Sequence, residues 1–268
     1  MSVSLLGHRV LVTRPRHQQA EWVAGLEAVG AQAICLPLLD ILTPSNGDRA
    51  ATLRRALLDL DRFDLLIFIS INAVRMGLAA IEDYWPQFPL GIELVAIGPT
   101  TSRELQQQVG GTVLCAPGGM TSEDLLTLPC FDEISDKRVG IVCGEGGREV
   151  IARQLRERGA RVESLEVYRR VEIHYDDTAL REALRESEPT VLTAASGESL
   201  QALRSVIDQS SQLGDTDADR QLKTPLIVPS ARVKALALAL GFSRVVDAAG
   251  ADTESLLRAL ATLPPPRT

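Results

Sequence analysis

The chain has 268 residues, 45% of them hydrophobic and 24% charged, with a formal net charge of −7. That length fills two cores of ordinary domain size, and the apolar content excludes wholesale disorder. The negative charge argues against a general nucleic-acid binder, which needs a basic field, and no apolar run approaches the roughly 20 residues that span a bilayer.

Residues 1–12 show no basic region followed by an apolar stretch and a cleavage site, so no signal peptide is expected and the expected compartment is the cytoplasm. The first element is Arg9-Val-Leu-Val-Thr13, a short apolar strand of the kind buried on both faces of a parallel sheet. Arg14-Pro15 ends it. Ala20, Val23, Leu26 and Val29 then recur at spacings of three, which predicts a helix stopped by Gly30, and Ala33-Ile-Cys-Leu36 is a second strand. This is a βαβ unit. The stretch 37–46, with two prolines, breaks the rhythm. Asp64-Leu-Leu-Ile-Phe-Ile-Ser70 is a strand ending in serine, followed by a helix over 72–81. Glu93-Leu-Val-Ala-Ile-Gly98 is the next strand, and its helix ends at Gly110.

The pattern is then written again. Arg138-Val-Gly-Ile-Val-Cys143 matches the first strand at an offset of 129, Gly159-Ala160 matches Gly30-Ala31, and Val162-Glu-Ser-Leu165 matches the second strand. Thr190-Val-Leu-Thr-Ala-Ala-Ser196, with a helix over 198–207, repeats the strand that ends at Ser70. Pro225-Leu-Ile-Val-Pro229, with a helix ending at Gly241, repeats the strand before Gly98, and 252–257 repeats 121–126. Matching blocks in one order with nearly constant offsets establish an internal duplication. Each half reads as strand-helix alternation, which predicts an α/β protein of two similar domains, each an open parallel, flavodoxin-like sheet with helices on both faces. The two irregular stretches, 37–46 and 166–177, are the expected paired connections, with a cleft between the domains. The polar run 208–224 reads as a loop and 264–268 as a frayed tail.

In such sheets the ligand lies beyond the carboxyl ends of the strands, where helix N-termini present free N–H groups. That rule selects Thr13-Arg14, Ser70, Gly98-Pro-Thr-Thr101, Cys143-Gly144, Ser196-Gly197 and Ser230. Hydroxyls and backbone amides together suit an anionic ligand; each Ser or Thr equally suits capping its own helix. Of 28 basic residues only Lys137, Lys223 and Lys234 are lysine. The arginine bias favours carboxylate or phosphate recognition, although a GC-rich genome produces the same bias, and scarce lysine weakens a Schiff-base mechanism. Cys35, Cys115, Cys130 and Cys143 are scattered, and His8, His17 and His174 are far apart, so no metal site is expected. Gly144-Glu-Gly-Gly147 opens a helix but lacks the G-x-G-x-x-G spacing, because Glu149 stands where the third glycine belongs. No G-x-S-x-G elbow is present. Tyr168, beside Arg169 and Arg170 where a strand meets the connection, is a phenol able to donate a proton to a departing oxygen, or equally a packing residue.

These residues resemble the uroporphyrinogen-III synthase family along nearly the whole chain. The resemblance is carried by Val10-Leu-Val-Thr-Arg-Pro15, Phe68-Ile-Ser-Ile-Asn-Ala-Val74, Ala96-Ile-Gly-Pro-Thr-Thr101, Gly144-Glu-Gly-Gly-Arg-Glu149, Gly159-Ala160 and Val167-Tyr-Arg-Arg170. It implies a discontinuous domain, 1–38 with 173–268, and an inserted domain, 39–172, each borrowing a βαβ unit across the repeat boundary. It also implies a cofactor-free lyase of haem biosynthesis that closes hydroxymethylbilane to uroporphyrinogen III, losing water and inverting the last ring through a spiro intermediate. Tyr168 matches the tyrosine implicated in hydroxyl departure. Eight substrate carboxylates imply contacts from Arg14, Ser70, Asn72, Thr100, Thr101, Arg148, Ser196 and Ser230. A monomer is implied, and a transient contact with the preceding pathway enzyme is compatible with it. Ile69 stands where the family often has Thr, and Pro229-Ser-Ala-Arg232 replaces a Gly-Pro-Thr-Thr turn. The alternative is a non-catalytic two-domain protein that binds an anionic small molecule.

Overall fold

A strand buried between two helical layers needs apolar side chains on both faces, and Val10-Leu-Val12, Leu65-Leu-Ile-Phe68 and Leu226-Ile-Val228 supply them without a polar interruption. The structure, a computed structural model, describes residues 5–116, 122–147, 149–186, 188–212, 214 and 218–266. Along the chain the strands are β1 (Arg9–Val12), β2 (Gln32–Cys35), β3 (Leu39–Leu42), β4 (Leu65–Phe68), β5 (Glu93–Ala96), β6 (Val113–Leu114), β7 (Arg138–Gly144), β8 (Arg161–Glu172), β9 (Val191–Thr193), β10 (Leu226–Val228) and β11 (Val245–Asp247). They form a five-stranded sheet, β2-β1-β9-β10-β11, and a six-stranded sheet, β3-β8-β7-β4-β5-β6. Five strands of each, all but β3, pair in parallel. The chain divides into two compact units, Met1–Asp40 with Val171–Thr268, and Ile41–Arg170.

The duplication seen in the sequence is present in the hydrogen-bond register. Arg9 faces Gln32 in the β1/β2 pair and Arg138 faces Arg161 in β7/β8, both displaced by 129 residues. Val10 faces Val191 in the first sheet, and Val139 faces Leu65 in the second. Each sheet therefore joins the βαβ unit of one half to the three later strands of the other. In unit order both sheets run 2-1-3-4-5, with the switch point between β1 and β9 in one and between β7 and β4 in the other.

Alternation along each strand sends neighbouring side chains into different cores. In the first sheet Leu11, Leu192 and Val228 pack with Leu203 and Ile207 of the helix Gly197–Gln212 and Val233 of the helix Ala231–Ala239. Val10, Val12, Val191 and Ile227 pack on the other face with Trp22 and Leu26 of the helix Ala20–Ala28 and Leu256 of the helix Thr253–Leu260. In the second sheet Leu66 and Phe68 meet the helices Gly47–Leu58 and Ile71–Glu82, while Leu65 and Ile67 meet the helix Glu149–Glu157. Each such residue contributes about 1.5–3 kcal/mol by leaving water.

Two expectations are corrected. The first helix is anchored by Trp22 and Leu26, with Ala20 exposed and Val23 half-buried, because the stripe turns about the aromatic ring instead of following the spacing of three. The run 208–224 is not a loop: the helix Gly197–Gln212 continues into it, and Ala218–Lys223 is helical. Val206, Ile207 and Ser210 are buried, and the amide of buried Gln221 donates to the Leu184 carbonyl at 2.8 Å. These tertiary contacts override the polar composition.

Candidate active site

The order β8-β7-β4-β5 sets Gly144, Ser70 and Gly98 at the carboxyl ends of adjoining strands, with Tyr168 inside β8 level with the end of β7, next to the switch point of their sheet. The β7/β8 register slips between Cys143 and Gly144, so that Gly144 faces Tyr168. This irregularity re-aims the strand end. The Glu145 N–H donates to the Tyr168 carbonyl at 2.7 Å and fixes the slip. The phenol lies across Gly144: a Cβ there would stand 2.5 Å from Tyr168 Cε2 and 3.0 Å from its hydroxyl oxygen. Only glycine leaves room for the ring. The loop after Gly144 is tied by Arg49, which pairs with Glu145 and, at 3.8 Å, with Glu166.

Tyr168 is 2% exposed and packs with Phe68, Val74 and Val142. Its hydroxyl lies 3.2 Å from Ser70 Oγ and receives an N–H from Arg170 at 3.3 Å. The Arg170 guanidinium carbon is also 5.5 Å from the ring centroid. Ser70 is half-buried and caps the helix Ile71–Glu82, accepting from the Ala73 N–H at 3.0 Å. It thus serves as cap and as neighbour of the phenol. Asn72, half-buried, is in the first turn of that helix. In the helix Pro99–Val109, Thr100 is exposed and Thr101 is buried. Thr101 therefore faces the core, leaving Thr100 as the hydroxyl at that strand end.

In the other unit the carboxyl ends of β1, β9 and β10 carry Arg14, Ser196 and Ser230. Arg14 stacks on Trp22, its guanidinium carbon 4.6 Å from the ring centroid. Its Nε is buried without a hydrogen-bond partner. Burial pulls the Arg14 value down, opposed by the charges of Glu21 and Asp252. A half-desolvated guanidinium with an unused donor is a ready partner for an anion. Ser196 and Ser199 cap reciprocally: the Ser199 N–H donates to Ser196 Oγ at 3.1 Å and the Ser196 N–H to Ser199 Oγ at 2.9 Å. Ser230 caps the helix Ala231–Ala239, receiving the Val233 N–H at 3.5 Å. Beneath them Thr13 and Thr193 are satisfied by buried bonds to the Thr193 and Leu11 carbonyls, so their hydroxyls lock the sheet.

Of the residues expected at the site, the structure joins Tyr168 to Ser70 directly and sets Arg14, Ser196 and Ser230 on adjoining strand ends of one sheet. Arg148 lies outside the described residues. A cavity of about 530 Å³ bordered by Cys143, Gly146, Glu149, Arg153 and Glu166 opens on the sheet face opposite Tyr168; of the described residues selected at strand ends, Cys143 borders it, and Tyr168 and Ser70 do not. Burial pushes the Cys143 thiol up to about 12, which leaves it inert as a nucleophile at neutral pH. Among the described residues no group of three or more His, Cys, Asp or Glu could hold a metal ion, and no helix is long and apolar enough to cross a membrane. The roles of Gly144 and Trp22 were missed in the sequence. In the sequence Gly144 stands at a strand end, in an incomplete dinucleotide loop and in a family motif, none of which points to the close approach of the Tyr168 ring, and Trp22 carries no motif that links it to Arg14.

Residues 20–258 match the family model described as uroporphyrinogen-III synthase HemD. The uroporphyrinogen-III synthase of Escherichia coli K12 is 35% identical over 254 residues, 94% of this chain and 99% of that protein. That of Salmonella typhimurium LT2 is 34% identical over 257 residues, again 94% and 99%. Among solved structures, uroporphyrinogen-III synthetase from Helicobacter pylori 26695 superposes with a TM-score of 0.58 at 14% identity, covering 96% of this chain and 99% of that one. A mutant uroporphyrinogen III synthase from the extremely thermophilic bacterium Thermus thermophilus does so with a TM-score of 0.56 at 19% identity, covering 96% and 100%. The structures share the fold, and with the full-length sequence relationship the conclusion is direct: this chain belongs to the uroporphyrinogen-III synthase family.

Proposed function

We propose that this protein is a cytoplasmic uroporphyrinogen-III synthase that dehydrates and cyclises hydroxymethylbilane without a cofactor. The observation that carries the reading is the family relationship along nearly the whole chain. The terminal hydroxyl leaves as water and gives a methylene-pyrrolenine electrophile. The last pyrrole attacks through its substituted carbon, and the spiro intermediate fragments and recloses with that ring inverted. The uncatalysed bilane closes to the uninverted isomer, so the protein's work is to hold the chain ends for spiro attack and to assist the departure of hydroxyl.

Arg14, Asn72, Thr100, Ser196 and Ser230 are proposed to receive substrate carboxylates, and Ser70 to contact the reacting end of the substrate, supported by the place of the hydroxyl and amide residues at helix N-termini and by the unused donor on Arg14 at a strand end. Buried Thr101 completes the turn that presents Thr100. Tyr168 is proposed as the proton source, supported by its contact with Ser70. Neither nucleic acid nor membrane enters this account, and contact with the enzyme that delivers the bilane is transient. A coupled assay with freshly generated hydroxymethylbilane tests the function. Isomer III is expected in proportion to added protein; isomer I at the spontaneous rate would contradict it and leave a protein that only binds anions.

A further inference from the structure

We infer that Ser70 is the group that touches the departing hydroxyl, and that Tyr168 delivers its proton through Ser70 instead of contacting the substrate. This inference rests on the proposed function. It starts from burial: Tyr168 is 2% exposed, whereas Ser70 is half-buried at the strand end. The direction of the hydrogen bonds follows from donor counting. Arg170 has only protons to give, so its N–H donates to the phenol oxygen at 3.3 Å. The phenol's own proton then needs an acceptor, and Ser70 Oγ at 3.2 Å is positioned to be one. Ser70 Oγ also accepts the Ala73 N–H at 3.0 Å. With two protons received, Ser70 has its own O–H left to point away from both.

The chemistry balances. The carbon–oxygen bond of the hydroxymethyl group breaks as its oxygen takes the Ser70 proton and leaves as water. Tyr168 reprotonates Ser70, and the phenolate is held by the Arg170 guanidinium while the electrophile carries the matching positive charge. On reclosure the unsubstituted α-carbon of the inverted ring forms the new bond and loses its proton as that ring regains aromaticity, and this proton, returned through Ser70, restores the phenol. Tyr168 supplies the proton and Ser70 is the catalytic contact.

The experiment is a double-mutant cycle in the isomer III assay, with Ser70→Ala, Tyr168→Phe and the pair. Each single variant is expected to lower kcat by about 10²-fold, and the pair to fall no more than about threefold below the worse single variant, because the two act as one unit. Ser70→Thr keeps a hydroxyl and restores turnover. Ser70→Asn keeps a helix cap without a transferable proton, and stays slow with an unchanged unfolding temperature. In mixed H2O and D2O the wild-type rate is bowed against deuterium fraction, as two moving protons require. Losses that multiply to about 10⁴ in the pair, or a Ser70→Ala enzyme as fast as wild type, overturn the relay. A wild-type protein that forms isomer I alone overturns the proposed function, and the relay with it.

Discussion

The two sheets share strand order, register and the placement of capped helices at their strand ends, yet they present different chemistry there. The sheet with β1 and β9 ends in Arg14, Ser196 and Ser230, which offer charge and hydrogen bonds and no buried acid. The sheet with β7 and β4 ends in Ser70 and in a phenol laid across Gly144. Ser70 and Ser196 occupy the same place in the repeat and cap equivalent helices, Ile71–Glu82 and Gly197–Gln212. The residue 129 positions before Tyr168 is Leu39, a buried hydrocarbon. In the proposed function, duplication supplies two anion-receiving frames, and the register slip at Gly144 together with one aromatic substitution gives one of them a proton to donate.

The sharpest way to break this contrast is through glycine. Gly144→Ala puts a methyl group 2.5 Å from Tyr168 Cε2, so the ring must move. Turnover should fall at least about tenfold and stability by about 1–3 kcal/mol, as overpacking does, read by steady-state rates and denaturant unfolding. Gly197→Ala, in the other sheet, meets Leu236 at 3.4 Å and Arg232 at 3.8 Å, both side-chain ends at ordinary contact distance, and has no positive φ. It should change stability by less than about 0.5 kcal/mol. Next in size is the reciprocal cap: Ser196→Ala removes the Ser196–Ser199 exchange and should cost about 1 kcal/mol in the same unfolding experiment.

The smallest expected effect is electrostatic. Glu104 accepts from Arg75 at 2.8 Å, and that hydrogen bond holds its carboxyl below the usual carboxylate range. A depressed folded value means that this contribution is complete above the unfolded value and fades as pH falls through the folded one. The pair is partly solvated, so Glu104→Gln should flatten the acid side of the stability profile by about 0.5 kcal/mol or less. A flat difference between the two proteins across pH 2–6 contradicts this assignment.

The duplication, the strand starts and the strand-end rule were legible because they depend on local sequence: apolar runs, terminal serines, and glycines such as Gly110 and Gly241 with left-handed backbone. The helical content of 208–223 was hidden, because Gln221 and Ser210 are polar residues buried by partners distant in sequence. Tyr168 could be singled out, but its burial could not, since that depends on the slip opposite Gly144. Arg14 could be placed at a strand end, whereas its stack on Trp22 depends on how the first helix lies on the sheet.

The account turns on a division of labour, and a parallel kinetic comparison of Tyr168→Phe and Arg14→Met tests it most directly. With fresh hydroxymethylbilane as substrate, Tyr168→Phe should lower kcat by about 10²-fold with KM nearly unchanged, while Arg14→Met should raise KM by about tenfold with kcat nearly kept. Loss of kcat in Arg14→Met with full turnover in Tyr168→Phe would contradict it.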